Sequence, residues 1–133
     1  QESPHFDIGK IVGGGCVSDF SEEVISAYNA PFPDDSYKAG ARIFPSLVPT
    51  TPDNPESKNN QKAWEVLKRF EKPFLTCFSD SDPVTKGGEG AFIGRVSGTE
   101  NQQHVKIENA GHFLQEDKGP ELAEIINEFI SKN

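Results

Sequence analysis

Methionine is absent from these 133 residues, tryptophan occurs once, and tyrosine and cysteine occur twice each. Residue 1 is glutamine rather than the methionine of a translated start. The chain is therefore either processed or an internal-to-C-terminal piece of a longer one, and the second is the expectation. Two cysteines, Cys16 and Cys77, with no C-x-x-C between them, exclude a disulfide framework. No cluster of cysteine and histidine has the spacing of a structural zinc site, so free thiols and no metal are expected. No run of 18 apolar residues occurs, which argues against a membrane-spanning helix. Gln1–Lys10 carries no secretory signature, so a cytoplasmic location is expected. Positive charge is scarce: 13 Lys and Arg stand against 21 Asp and Glu, a net charge of −8. Such a chain repels phosphate backbones, which excludes nucleic acid as an expected partner. Apolar residues make up 34%. Adding the 12 glycines still leaves the total short of the roughly 45–50% of an ordinary domain, so core material is lean.

What is present divides near 45–60. Before that stretch the chain is irregular and rich in glycine, proline and aromatics. Ser21 followed by Glu22 and Glu23 has the pattern of a helix start, predicting a helix over Ser21–Ala27. Ala30–Asp35 reads as a turn, and Tyr37–Phe44 as a helix interrupted at Gly40. Four prolines in Pro45–Pro55 mark a functional loop or a junction.

After that stretch the chain alternates between helix and strand. Gln61–Glu71 places Ala63, Trp64, Leu67 and Phe70 on one face of a helix that Lys72-Pro73 ends. Pro73–Phe78 is a short apolar run suited to a buried parallel strand, and Gln103–Asn109 alternates as a second strand. Ser79–Gly88 and Ala110–Asp117 read as loops, and Glu89–Val96 as a short helix. Pro120–Lys132 sets Leu122, Ile125, Ile126, Phe129 and Ile130 at amphipathic-helix spacing, with Pro120 in the first turn. This order predicts an α/β fold with parallel strands flanked by helices. Two strands are too few for such a sheet.

Ligand chemistry in open α/β sheets sits at the carboxyl ends of the strands. The loop after the first strand carries Asp80 and Asp82 in SDSDP; the loop after the second carries His112 in NAGHFLQED. A carboxylate that accepts from one imidazole nitrogen fixes the tautomer and leaves the other nitrogen to take a proton. The alternative is bland: SDSDP as an Asx-type turn and His112 as a solvated side chain after a glycine. No G-x-S-x-G nucleophile elbow occurs. Gly13–Cys16 and Lys86–Gly88 lack the following GK[ST] of a phosphate loop and read as turns. Cys16 reads as an inert thiol, and Trp64 as a packing residue.

Tyr28–Pro45 (YNAPFPDDSYKAGARIFP), Pro73–Pro83 (PFLTCFSDSDP) and Ala110–Gly119 (AGHFLQEDKG) together resemble the haloalkane dehalogenases, over nearly the whole chain. The first of these stretches is specific to that family and its nearest relatives. DSDP and AGHF alone would indicate only the α/β-hydrolase superfamily. The resemblance implies part of a helical cap over 1–48 and the C-terminal part of an α/β-hydrolase core over 49–133. It implies two-step hydrolysis of an apolar haloalkane through a covalent alkyl-enzyme ester, with water consumed, halide and alcohol released, and no cofactor. By position, His112 would be the base that activates water and Asp82 its orienting acid, with Asp80 the rival. Phe44, Pro45 and Val48 match cap positions that line the apolar pocket, and Phe113 adjoins the base. A monomer is the expectation for the full-length protein.

The departures from the family pattern are specific. The aspartate nucleophile matches no residue here. Trp64 lies on the wrong helix for a halide-binding indole, and Gln1–Val12, where a cap halide donor would fall, holds no tryptophan. Two other readings stand beside the dehalogenase. A cap-bearing epoxide hydrolase would need Tyr28 or Tyr37 in the pocket. A non-catalytic, stand-alone binding module would melt cooperatively as the 133-residue chain, whereas a truncated enzyme is expected to melt poorly or aggregate.

Overall fold

Ser21 stands in extended geometry with its hydroxyl accepting from the Val24 amide, and the helix it starts runs Glu22–Asn29. The computed structural model describes residues 5–133 and divides into two compact units. One comprises the residues up to Gly13 with Phe20–Glu65, and the other comprises Gly14–Asp19 with Val66–Asn133.

The first unit is helical. Helix α1 (Ile8–Gly14) begins in this unit, followed by α2 (Glu22–Asn29), a 3₁₀ turn at Asp35–Lys38, α3 (Ala39–Ile43) and a second 3₁₀ turn at Phe44–Leu47. The helix α1 was not anticipated, because its sequence IGKIVGG is short and glycine-rich. Its start is held by the Asn29 side chain, which accepts from the Gly9 amide at 3.0 Å and donates to Asp7 at 2.8 Å. The guanidinium of Arg42 stands 4.5 Å from the centre of the Phe6 ring, and Tyr28 stacks on Phe20 at 5.9 Å. Gly40 does not interrupt α3, since the helix continues through it and no atom approaches within 4 Å of where its Cβ would be. Pro45–Pro55 becomes a string of turns leading into α4 (Ser57–Leu67). That helix starts four residues before the expected Gln61. Asn54 accepts the Ser57 amide on its carbonyl and the Glu56 amide on Oδ1, satisfying donors of the first turn.

The second unit is built on two parallel strands, β1 (Cys77–Ser79) and β2 (Val105–Ile107), paired Cys77 to Val105, Phe78 to Lys106 and Ser79 to Ile107. The first strand is shorter than Pro73–Phe78 because the Phe74 amide is spent on the Gly98 carbonyl at 2.8 Å. Helix α4 likewise ends at Leu67 rather than Glu71: the Lys68 carbonyl accepts from Ser97 and the Phe70 carbonyl accepts from Gly98. Glu89–Val96 is not a regular helix. A 3₁₀ turn covers Gly88–Ala91, and Gly94 at φ +75 ends any continuation. Its Phe92 ring stacks on Phe74 at 5.7 Å and lies 6.2 Å from Phe78, so aromatic packing anchors this segment to β1. Residues 110–117 are not wholly loop, since α5 occupies Leu114–Asp117. Helix α6 covers Gly119–Lys132 with Pro120 in its first turn, yet none of its residues is fully buried and Ile126 and Ile130 are exposed.

The lean composition is visible as a small buried set. Val12, Val96, Ile107 and Ala110 are the buried apolar residues among those described. Thr76, Ser79, Asp82 and Thr99 are buried polar ones, all in the second unit. Among the described residues, no helix is long and apolar enough to cross a membrane.

Candidate active site

The loops that leave β1 and β2 are joined by backbone before any side chain meets. The Asp80 amide donates to the Ile107 carbonyl at 3.0 Å, and the Ser81 amide donates to the Ala110 carbonyl at 3.1 Å. Asn109, at φ +54, turns the chain sharply after β2, a left-handed conformation that asparagine tolerates better than most residues. Beyond it Ala110 and Gly111 are buried, and the Ser79 hydroxyl donates to the Gly111 carbonyl at 2.7 Å. His112 therefore emerges from a backbone tied to the end of β1.

Both carboxylate oxygens of Asp82 lie 3.1 Å from Nδ1 of His112. The imidazole is half-buried and the carboxylate is 3% exposed. A carboxylate at that distance accepts the Nδ1 proton, so Nε2 is the nitrogen that bears the lone pair. Asp82 is itself held by its own loop. Val84 donates its amide to Oδ1 at 2.7 Å, and the Thr85 hydroxyl donates to Oδ2. Burial pushes the Asp82 carboxyl up, but the Thr85 hydroxyl, the Val84 amide and His112 outweigh it and hold the group well below the usual carboxylate range. The Asp82 carboxyl is thus held in its ionised form.

Asp80 faces elsewhere. It accepts from the Ser81 hydroxyl at 2.8 Å, and that bond, the Asn109 amide and the more distant Ala110 amide lower its pKa. It buttresses the turn that carries His112 and makes no contact with the ring. Phe113 sets its ring edge-on to His112, 5.1 Å between centres. Phe44, Pro45 and Val48 belong to the other compact unit. There Phe44 and Pro45 open the 3₁₀ turn Phe44–Leu47, Val48 follows it, and all three are exposed. Of the segment Gln1–Val12, residues 1–4 lie outside the described residues, and Ile8–Val12 belongs to α1.

Several partners of the pair were not singled out in the sequence. Thr85 had a signal: in D-P-V-T an aspartate is followed at two and three residues by an amide and a hydroxyl that it can accept from, an Asx turn. Ser79 and Gly15 had none, because their contacts span long stretches of chain. The Gly15 carbonyl accepts from the His112 amide at 2.6 Å and the Phe113 amide at 3.4 Å. Burial, then the charges of Asp117 and Glu116, push the thiol of the neighbouring Cys16 up to about 11, which disfavours the thiolate. Burial also raises Cys77. Among the described residues, no group of three or more His, Cys, Asp or Glu side chains is arranged to hold a metal ion.

A carboxylate and an imidazole brought together on loops at the carboxyl edge of a parallel sheet is the arrangement by which many α/β hydrolytic enzymes orient a histidine for proton transfer. No family model matches the chain. Among curated proteins it is 53% identical over 133 residues to a haloalkane dehalogenase of Psychrobacter cryohalolentis. It is 50% identical over 124 residues to a haloalkane dehalogenase of Mycolicibacterium paratuberculosis, and 48% identical over 124 residues to one of Mycobacterium marinum. These matches cover 100%, 93% and 93% of this chain. The similarity to these haloalkane dehalogenases runs along nearly the whole of this chain. It spans 44%, 41% and 41% of the length of those three relatives.

Proposed function

We propose that this chain supplies the acid and the base of a haloalkane dehalogenase of the α/β-hydrolase fold, with 1–48 forming part of a helical cap and 49–133 part of the core. The observation that carries the reading is the Asp82–His112 pair, on adjacent strand ends, in a homologue of proteins named haloalkane dehalogenase. The nucleophilic aspartate of the reaction would lie outside these 133 residues. In the first step that carboxylate attacks the halogen-bearing carbon. A carbon–oxygen bond forms, the carbon–halogen pair leaves with the halide, and an alkyl ester remains. In the second step Nε2 of His112 takes a proton from water as the water oxygen attacks the ester carbonyl. The acyl carbon–oxygen bond then breaks, and the departing alkoxide takes that proton back from the imidazolium to leave as the alcohol, freeing the carboxyl group. Asp82 stabilises the imidazolium formed at that moment. Phe44, Pro45, Val48 and Phe113 would supply apolar walls for an uncharged substrate, which strengthens electrostatics at the departing halide by excluding water.

The reading is tested with the full product of the gene that encodes this chain and a short bromoalkane. Bromide release and alcohol formation are expected from the natural protein. His112→Phe is expected to release bromide once per enzyme and then stop, holding the alkyl group as an ester visible in the intact mass. A natural protein that releases no halide from any short haloalkane would rule the assignment out.

A further inference from the structure

We propose that Asp117 is a positioning residue for the base, clamping the His112 loop to the Gly15–Ser18 segment and so fixing where the imidazole stands against Asp82. This rests on the reading of His112 as the base. Four donors converge on the one carboxylate. Oδ2 accepts the Gly111 amide at 2.8 Å and the Val17 amide at 2.9 Å, and Oδ1 accepts the Ser18 amide at 2.9 Å and the Ser18 hydroxyl at 2.5 Å. One donor immediately precedes His112 in the chain. The other three come from a segment about 100 positions away, and the two have no shared secondary structure to align them.

The clamp acts on the backbone of the base itself. The same distant segment presents the Gly15 carbonyl to the His112 amide at 2.6 Å. The approach is close enough that a Cβ on Gly111 would lie 2.3 Å from the Gly15 oxygen and 3.0 Å from the Cys16 Cα, so only glycine fits. His112 is thus gripped from two directions. Ser79 at the end of β1 holds the Gly111 carbonyl, and Asp117 holds the Gly111 amide. Only the first grip comes from the sheet. The second depends on a single acceptor with four lone-pair positions, a requirement that a carboxylate meets and an amide does not. Consistent with full occupancy of those positions, burial raises the Asp117 carboxyl less than the Ser18 hydroxyl and the Gly111, Val17 and Ser18 amides lower it, to about 2.

The two-step reaction separates positioning from folding. The base takes no part in forming the ester, so the burst of halide counts the correctly folded sites, and the rate that follows measures how well His112 is placed. With 1-bromobutane and the full gene product, Asp117→Asn is expected to keep a bromide burst close to one per folded enzyme. Its ester hydrolysis is expected to slow by about 10²-fold, the cost of misplacing a catalytic group by roughly 1 Å. The butyl-enzyme should accumulate in the intact mass, and Asp117→Glu should recover part of the rate. A D117N enzyme whose every burst-competent site turns over at the natural rate overturns the inference, while His112→Phe still trapping the ester leaves the base assignment intact. If H112F neither bursts nor traps although the natural protein turns over, the base assignment itself is wrong and the inference goes with it. Should D117N give no burst because it does not fold, Ser18→Ala carries the test. That variant removes one hydroxyl and keeps the three amide donors, and is expected to slow ester hydrolysis several-fold at full burst. An unchanged rate there overturns the inference.

Discussion

His104 and Thr76 bind each other across the entrance to the sheet. The ring Nδ1 lies 3.2 Å from the Thr76 amide and 3.0 Å from its hydroxyl, while Nε2 lies 3.0 Å from the Thr99 carbonyl. A backbone amide can only donate and a carbonyl can only accept, so the network assigns this ring as neutral with the proton on Nε2. That is the opposite tautomer to His112, eight positions further on, whose proton must sit on Nδ1 facing Asp82. The His104 ring therefore satisfies the Thr76 amide and shares the Thr99 carbonyl with the Gln102 amide, which donates to it at 3.3 Å. His104→Phe keeps the ring and removes both partners. It is expected to cost about 1–3 kcal/mol for the buried Thr76 amide left unpaired, read as a lower urea midpoint with the slope unchanged. A midpoint within error of the natural protein's would show that water replaces the ring at no cost.

Asp82 does for His112 what the backbone does for His104. Its two oxygens accept the Nδ1 proton together with donors from Val84 and Thr85. Asp82→Asn substitutes an NH₂ for one of those oxygens, and a donor then faces a donor. The ring is expected to lose its preferred tautomer. Turnover should fall by about 10⁴-fold, as when the orienting aspartate of a hydrolytic triad is replaced by asparagine. Because ester formation does not need the base, the halide burst should survive. Rapid-quench measurement of bromide separates the two, and loss of the burst together with turnover would mean that Asp82 acts earlier than proposed.

The parts legible in the sequence are those decided locally. Ser21, Glu22 and Glu23 announce α2, and the spacing of Leu122, Ile125, Ile126, Phe129 and Ile130 announces α6. The first strand announces itself as a short apolar run and the second as an alternation of polar and apolar residues. What distant chain decides was not legible. Gly98 and Ser97 take carbonyls that α4 would otherwise have used to continue to Glu71. Likewise, α1 depends on Asn29. Asp82 and Asp80 sit two positions apart in one loop, and no periodicity ranks them, whereas the fold turns one toward His112 and the other toward Ser81. Nothing local in QED sets Asp117 apart, because its partners Val17 and Ser18 lie about 100 positions away in the chain.

Acid should loosen the His112 loop before it unfolds much else. The Asp117 carboxyl has a folded-state pKa of about 2 against an ordinary value of 3.8. A depressed pKa means that the folded state favours the ionised form. The stabilisation is complete above the unfolded value and is lost as pH falls through the folded one. Between about pH 4 and pH 2 the natural protein should therefore lose stability more steeply than Asp117→Asn, and the gap between them should close near the bottom of that window. Asp82, held lower still, should continue to contribute at a pH where Asp117 no longer does. Melting temperatures of the two proteins across this range provide the measurement, and parallel curves would contradict it.

Gly98 meets the opposite limit, a backbone with no room. A Cβ there would lie 2.0 Å from the Lys72 carbonyl oxygen and 3.0 Å from that of Phe70, and both belong to main chain rather than to a side chain able to swing away. The contact is tight because the residue is used twice, donating to the Phe70 carbonyl at 2.6 Å and accepting from the Phe74 amide at 2.8 Å, just ahead of β1. Adding one methyl group must displace the segment that leads into the strand. Gly98→Ala is expected to destabilise by about 1–3 kcal/mol, the usual cost of forcing an atom into a packed site. Gly90 is the internal control, since no atom lies within 4 Å of its Cβ position and its φ is not positive. Gly90→Ala should be neutral or stabilise by up to about 1 kcal/mol through the unfolded chain. Urea midpoints of the two variants decide the matter. If Gly98→Ala is tolerated as well as Gly90→Ala, the Lys72–Phe74 segment is not seated against Gly98 in solution.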